Sequence, residues 1–144
     1  MKRREVIALP AALCVGATWA QGNQLAEAIA EFTQGQPVQR GRLKLDVAPL
    51  VDNGNTVPLA VAVDSPMTAA NHVVSIAVFN EKNPQRDVAR FTLGPRAGKA
   101  AVATRIRLAT SQKLAAIARM NDGTFWSDTV DVVVVLAACI EGES

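Results

Sequence analysis

Nucleophilic sulfur chemistry needs a thiol that other molecules can reach. Cys139 stands where such a thiol would be, followed only by Ile140, Glu141, Gly142, Glu143 and Ser144. It comes directly after Val132-Val133-Val134-Val135-Leu136-Ala137-Ala138, which reads as a strand running out into a tail. A thiol that merely packs is ordinarily buried inside its domain. One on a free terminus is placed to enter the pockets of other proteins. Such placement serves a covalent carrier, or it is incidental. A cysteine that is itself catalytic wants a base beside it. The one histidine, His72, lies at the start of a predicted strand, and the sequence alone does not pair the two. A blue-copper centre needs two histidines with its cysteine, so that class is excluded. No zinc spacing, phosphate loop or dinucleotide fingerprint is present. Arg105 and Arg107 share one face of a predicted strand and could hold an anion, although such pairs are more often the solvated side of a sheet. Asp128 and Asp131, near Trp126, read as surface charges, and Asn53-Gly54-Asn55 reads as turn chemistry.

The elements that must position the thiol follow from periodicity. Leu25, Ile29 and Phe32 recur at helical spacing among Ala26, Ala28 and Ala30, which predicts a short amphipathic helix ended by Gly35 and Pro37. Beyond it the chain alternates between short apolar runs and turns. Strands are predicted over Leu43–Val47, Val57–Val63, His72–Phe79, Val88–Leu93, Ala101–Leu108, Leu114–Met120 and from Thr124 onward. The turns between them fall at 52–55, 83–84, 94–98 and at Asn121-Asp122-Gly123, a strong hairpin signal. About seven strands at regular spacing argue for an all-β sandwich of immunoglobulin-like type with a short N-terminal helix. In the last strand both faces are apolar from Val132 onward. Two readings of that segment stand side by side: a central strand covered on both sides, with the helix as one cover, or a strand that turns one face to a partner subunit.

The first twenty residues read as an export signal. Lys2-Arg3-Arg4 form a charged region, Val6–Ala17 a short apolar run, and Thr18-Trp19-Ala20 a cleavage site before Gln21. The run is too short to span a bilayer. Arg3-Arg4 followed by Glu5-Val6-Ile7 fits a twin-arginine signal, with an ordinary secretory signal as the alternative. Leu13 before Cys14 is too large for a lipoprotein anchor, so no membrane anchor is expected. Removing the signal takes the formal charge from +2 to about zero, which leaves no electrostatic basis for nucleic-acid binding. What remains is of single-domain length, residues 21–136 forming the sandwich and 137–144 an arm. Its one cysteine allows no internal disulfide, although the destination is an oxidising one.

Asp52–Pro58, Val63–Met67, Phe79–Pro84, Thr104–Ala109 and Asn121–Trp126, in that order, resemble the SoxY family, the sulfur-carrier subunits of the bacterial sulfur-oxidising (Sox) system. The resemblance extends over roughly Leu43 to Cys139. It implies an immunoglobulin-like sandwich paired with a SoxZ-like subunit in the periplasm. It also implies a covalent cycle on a cysteine near the C-terminus, a position that Cys139 matches. In that cycle a c-type cytochrome complex joins thiosulfate oxidatively to the thiol, a hydrolase releases sulfate, and a sulfane dehydrogenase oxidises the remaining sulfur. The carrier itself is not an enzyme, and neither a cofactor nor a metal is expected beyond the attached sulfur group. The family tail typically reads Gly-Gly-Cys-Gly-Gly and stops. Here Ala137-Ala138 replace the leading glycines, and Ile140 to Ser144 follow. Retention of Cys139 favours a carrier; the altered tail favours a SoxY-like paralogue that pairs with a SoxZ-like protein without carrying cargo.

Overall fold

The computed structural model describes residues 24–136. The chain begins with α1 (Gln24–Thr33), then β1 (Val38–Arg40), β2 (Leu43–Asp46), β3 (Leu50–Asn53), β4 (Val57–Val63) and β5 (Val73–Asn80). It continues with β6 (Asp87–Thr92), β7 (Ala101–Ile106), β8 (Gln112–Met120) and β9 (Phe125–Leu136). The strands form two sheets. The large one runs β1-β9-β8-β5-β6, with β3 also paired to β9; the small one runs β2-β4-β7. This is the immunoglobulin-like sandwich expected from the sequence, with nine strands where about seven were expected. The two additions, β1 and β3, are three and four residues long and pair in parallel with β9.

Alternation builds the core. In β4, Val57, Leu59, Val61 and Val63 point inward and are buried. They meet Ile76, Val78, Leu114, Ala116, Met120 and Val132 from the large sheet in one cluster. Side chains of period two put one face of each strand into that layer. The central strands β5 and β8 are buried on both faces. Their outward residues Ala77, Phe79 and Ile117, with Phe125 of β9, form a second cluster under Leu25, Ala28, Ile29 and Phe32 of α1. Phe32 meets Phe79 and Phe125 edge-on, at centroid distances of 5.8 and 5.9 Å. The helix stops because Gln34 and Gly35 turn left-handed (φ 55° and 76°), and the Gly35 N–H bonds the Ala30 carbonyl at 3.1 Å. The β8–β9 hairpin turns at Asp122-Gly123, where Gly123 takes φ 86°. Asp122 Oδ1 accepts from the Thr124 N–H and hydroxyl at 2.9 and 2.6 Å.

Two expectations are corrected here. Asp128 is not simply a surface charge. It faces the small sheet, and its Oδ2 accepts the backbone N–H of Leu45 at 2.9 Å, tying β2 to β9. The helix also does not cover the apolar end of β9. It covers the start of the strand at Phe125, while Val133, Val135 and Leu136 stay exposed.

Candidate functional site

β9 ends at Leu136, just before the predicted arm of residues 137–144, and several segments of the chain hold that end, the root of the predicted arm. β8 accompanies β9 only as far as Val132, which lies opposite Gln112. One residue before β8 starts, the Ser111 side chain takes over the ladder. Its Oγ accepts from the Val134 N–H at 2.8 Å and lies 3.4 Å from the Val134 carbonyl oxygen, to which it donates. On the other side β3 aligns Leu50 with Val133, Val51 with Val134 and Asn53 with Leu136. Val133 donates to the Pro49 carbonyl at 2.8 Å. At the end of the strand the Gly54 N–H donates to the Leu136 carbonyl at 2.8 Å, and the Gly54 carbonyl accepts from Leu108 N–H at 2.8 Å. The last backbone group before the arm is thus held by a turn, and that turn is held by the loop after β7.

A buried amide network fixes that loop in turn. Asn80, Asn83 and Gln112 are buried polar side chains. Asn83 donates from Nδ2 to the Arg107 carbonyl at 2.8 Å, and its Oδ1 accepts from Ala109 N–H at 3.0 Å and from Gln112 Nε2 at 2.7 Å. Gln112 Nε2 also reaches the Thr110 carbonyl at 3.1 Å, and its Oε1 accepts the Lys82 N–H at 2.9 Å. Asn80 Oδ1 accepts the Asn83 N–H at 2.9 Å. Buried amides satisfied in this way specify one loop geometry, because breaking any member leaves another unpaired in a low-dielectric setting.

The root is apolar as well as hydrogen-bonded on both sides. Leu50 is 60% exposed, Val133 53%, Val135 69% and Leu136 61%. Parallel register puts Leu50 and Val133 on the same, outer face of the large sheet, with Val135 two residues on. Together they form a water-facing patch at the end of β9.

The residues singled out in the sequence are distributed as follows. Cys139 lies outside the described residues, three positions beyond Leu136. His72 lies at the opposite end of the large sheet, where its carbonyl accepts from Asn121 N–H and its Nδ1 lies 3.0 Å from the Thr68 carbonyl. β9 has 12 residues from Phe125 to Leu136 and is about 36 Å long, and three further residues reach about 10 Å, too short to bring Cys139 back to His72. Arg105 and Arg107 are exposed on the small-sheet side and form no ion pair among the described residues. Asp131 is exposed opposite Lys113. Trp126 donates to Thr124 Oγ1 at 3.2 Å and lies under the Arg42 guanidinium at 5.3 Å. The Asp122 carboxyl, at the far hairpin, is held below its ordinary pKa, first by the Thr124 hydroxyl and then by the Thr124 N–H. Among the described residues no group of three His, Cys, Asp or Glu could hold a metal. Sequence reasoning missed Ser111 and Gln112, whose work at the root depends on contacts between strands, and it read Asn83 as a turn and family-motif residue without its buried hydrogen bonds. It read Gly54 as turn chemistry, which is correct but incomplete.

Three of the five sequence motifs converge on this root: Asp52–Pro58, Phe79–Pro84 and Thr104–Ala109. The family described as sulfur oxidation protein SoxY matches residues 29–139. The chain belongs to the SoxY family. Consistent with this, its structure is similar to that of the sulfur carrier protein SoxY from Chlorobium limicola f thiosulfatophilum. The two are 26% identical, with a TM-score of 0.66, and the match covers 78% of this chain and 96% of that one. It is also similar to superoxide reductase (neelaredoxin) from Ignicoccus hospitalis, at 19% identity and TM-score 0.59, over 65% of this chain and 80% of that one. Superoxide reductase from Nanoarchaeum equitans matches at 12% identity and TM-score 0.56, over 67% and 100%. Those two likenesses concern the sandwich alone. No curated protein matches the chain. Membership assigns this SoxY-family domain to the sulfur-oxidising system.

Proposed function

We propose that this chain is a periplasmic covalent sulfur carrier of thiosulfate oxidation, with Cys139 as the attachment site. The observation that supports this reading best is the held end of β9: Leu136 is clamped by Gly54, and Cys139 follows within about 10 Å of extended chain. A fixed root with a short free arm presents a thiol at a defined distance from a bulky domain, as delivery into enzyme pockets requires. In the loading step the Cys139 thiolate and the sulfane sulfur of thiosulfate form an S–S bond. The thiosulfonate product carries the sulfonate, and two electrons pass to the c-type cytochrome complex. Water then cleaves the bond to the sulfonate sulfur, sulfate leaves, and a persulfide remains on Cys139 for the sulfane dehydrogenase. The carrier supplies the sulfur atom and no catalysis. Export by residues 1–20, of twin-arginine type, places it with those enzymes.

A SoxZ-like subunit is the proposed partner. The exposed outer-face patch of Leu50, Val133 and Val135 supports this, since a sheet face of large apolar side chains is costly to leave in water. Its position at the arm root would let a partner frame the arm without covering its tip.

Intact mass after incubation with thiosulfate and the Sox enzymes tests the reading. A single adduct is expected, lost entirely in Cys139→Ser, with fold and pairing retained; an adduct that persists in that variant would reject Cys139 as the carrier residue. The tail supports a second reading, a paralogue that pairs without carrying, and absence of any adduct on the unaltered chain in an active enzyme mixture would favour it. Two features of the tail could slow loading. Charges on Glu141, Glu143 and the terminus act weakly in water, about 1 kcal/mol at 4 Å and less in salt. Ile140 is bulky and stiff, and its steric effect is not screened. Glu141→Gln with Glu143→Gln speeds loading in a salt-sensitive way if charge dominates. Only a Gly-Gly-Cys-Gly-Gly tail speeds it if shape dominates.

A further inference from the structure

β2 accompanies β4 only between Val63 and Ala60, so Val57, Pro58 and Leu59 have β7 on one side and no strand on the other among the described residues. Pro58 suits such a place, since it has no N–H to leave unpaired. Beyond Asp46 the chain crosses to the large sheet, and beside that crossing lies a cavity of about 500 Å³. Its lining is mostly apolar, with Val47, Val51 and Val57 from the core and Pro58, Ala60 and Ala103 from the small sheet. Two charged side chains also line it, Asp46 on β2 and Arg105 on β7. β4 runs between those strands, and the two form no ion pair among the described residues.

The cavity lies close to the arm root. Gly54 connects them: its N–H donates to the Leu136 carbonyl, and its carbonyl accepts from the Leu108 N–H. Two hydrogen-bonded steps of roughly 5 Å put Leu108 about 10 Å from Leu136. Arg107 is the adjacent residue. Arg105 and Arg107, two positions apart, are both exposed and form no ion pair among the described residues. Val57, in the cavity wall, is three residues from Gly54, at most about 10 Å. The neighbourhood thus offers an apolar hollow and two arginines spaced for a pair of carboxylates. One segment of the chain carries the complement of both: Ile140-Glu141-Gly142-Glu143. Ile140 is four residues past Leu136, about 13 Å of extended chain, enough to span the distance to Val57. Glu141 and Glu143 repeat the two-residue spacing of Arg105 and Arg107. Because the segment is tethered to the surface it would meet, its effective concentration there is high and individually weak contacts suffice.

We propose that residues 140–143 dock on their own domain beside the arm root, with Ile140 in the cavity, Glu141 against Arg107 and Glu143 against Arg105. The nearer carboxylate meets the nearer cation, since the segment starts from the Leu108 end of β7. Docking holds Cys139, one residue earlier, against the body of the domain, and the thiol is delivered when the strap releases. That consequence for delivery rests on the carrier reading; the docking itself does not.

The test is methyl NMR of the full mature chain under reducing conditions, together with the rate of Cys139 alkylation by iodoacetamide read by mass. Cross-peaks between the Ile140 methyls and those of Val57 and Ala103 are expected, unchanged on dilution. Each alkylation rate is taken relative to the same chain unfolded in urea, which removes intrinsic differences in thiol reactivity. Ile140→Ser should raise the relative rate about tenfold, as loss of one buried apolar side chain predicts. Arg105→Gln with Arg107→Gln should raise it about threefold, and added sodium chloride should do the same to the parent. Thiosulfate and the Sox enzymes are absent from these measurements, so a failure of sulfur loading leaves docking standing, and a failure of docking leaves the adduct test standing. Cross-peaks that fade on dilution would assign the cavity to the tail of a second copy and overturn the proposal. Absent cross-peaks, or equal relative rates in the parent and Ile140→Ser, would overturn it as well.

Discussion

The two parts of β9 differ in what they are made of and in what surrounds them: Phe125–Val132 mixes apolar residues with Ser127, Asp128, Thr129 and Asp131, while Val133–Leu136 is wholly apolar. From Phe125 to Val132 the strand is paired to β8, begins beside β1, and is roofed at Phe125 by Phe32 of α1. From Val133 to Leu136 the ladder partners are β3 and one serine side chain, and three of four side chains are more than half exposed. The first part is held by the β8 ladder along its length and by burial of Phe125 and Val132 at its two ends. The second is held by hydrogen bonds to Gly54, Pro49 and Ser111. A strand can therefore be ordered without being covered, and the uncovered half is the one that leads to Cys139.

Substitutions that treat the halves alike should show how differently they are supported. Phe125→Ala removes a ring packed edge-on against Phe32 and should cost about 3–5 kcal/mol in denaturant unfolding. Val135→Ala, on the exposed half, should change stability by no more than about 0.5 kcal/mol. Comparable losses at both positions would erase the distinction.

Gln112→Ala attacks the network beneath the root. It leaves the Lys82 N–H and the Asn83 amide oxygen short of a partner, so about 1–3 kcal/mol should be lost. The amides of Ala109 and Val134 should exchange faster while that of Ile117 follows only global unfolding. Uniform acceleration would mean that the network supports the whole sandwich rather than the root.

Val135→Asp sharpens the functional side of the comparison. Stability of the isolated chain should barely move. Co-purification with a SoxZ-like subunit should weaken at least about tenfold, equivalent to about 1.4 kcal/mol. Unchanged association would place the partner on another surface. Ser111→Ala is subtler. It removes the hydroxyl bridging Val134, worth about 1 kcal/mol, and should speed amide exchange at Val134 about fivefold without touching Phe125.

The smallest effect belongs to the far end of β9. The Asp122 carboxyl is held below its ordinary pKa chiefly by the Thr124 hydroxyl. The stabilisation is present above the unfolded-state value near 4 and is lost as pH falls through the lower folded value. Asp122→Asn should therefore lose a little stability at neutral pH and converge with the parent below about pH 4. Because the side chain is exposed, the change should be slight. A larger acid sensitivity in the variant than in the parent would contradict this assignment.

Much of the architecture was legible because it follows local rules. Val57–Val63 was read to the residue, since its alternation is uninterrupted and Pro58 faces outward. The helix came within a residue of its observed bounds, its end marked by Gly35. The hairpin at Asn121-Asp122-Gly123 was equally plain. β1 and β3 were invisible. They are short, largely exposed and without alternation, and they exist only because β9 offers a free edge in parallel register. Asp128 was misread for a related reason: nothing local announces that its carboxylate will meet the N–H of Leu45 from the other sheet. The candidate site divided in the same way. The family motifs could be seen in the sequence, and the convergence of three of them at the arm root could not.

What the sequence determined by itself is the inventory: strands of period two, one amphipathic helix, a thiol near the C-terminus, and motifs specific enough to place the chain in its family. Periodicity and turn chemistry act over a few residues, and they need no partner to be read. Only the tertiary structure decided which apolar segment would be covered. The outer faces of Phe125 and Val135 obey the same alternation, and one is buried because α1, about a hundred residues earlier in the chain, is long enough to reach it and not the other. Burial is a property of pairs of distant segments, so the exposed, clamped end of β9 became visible only once those segments were brought together.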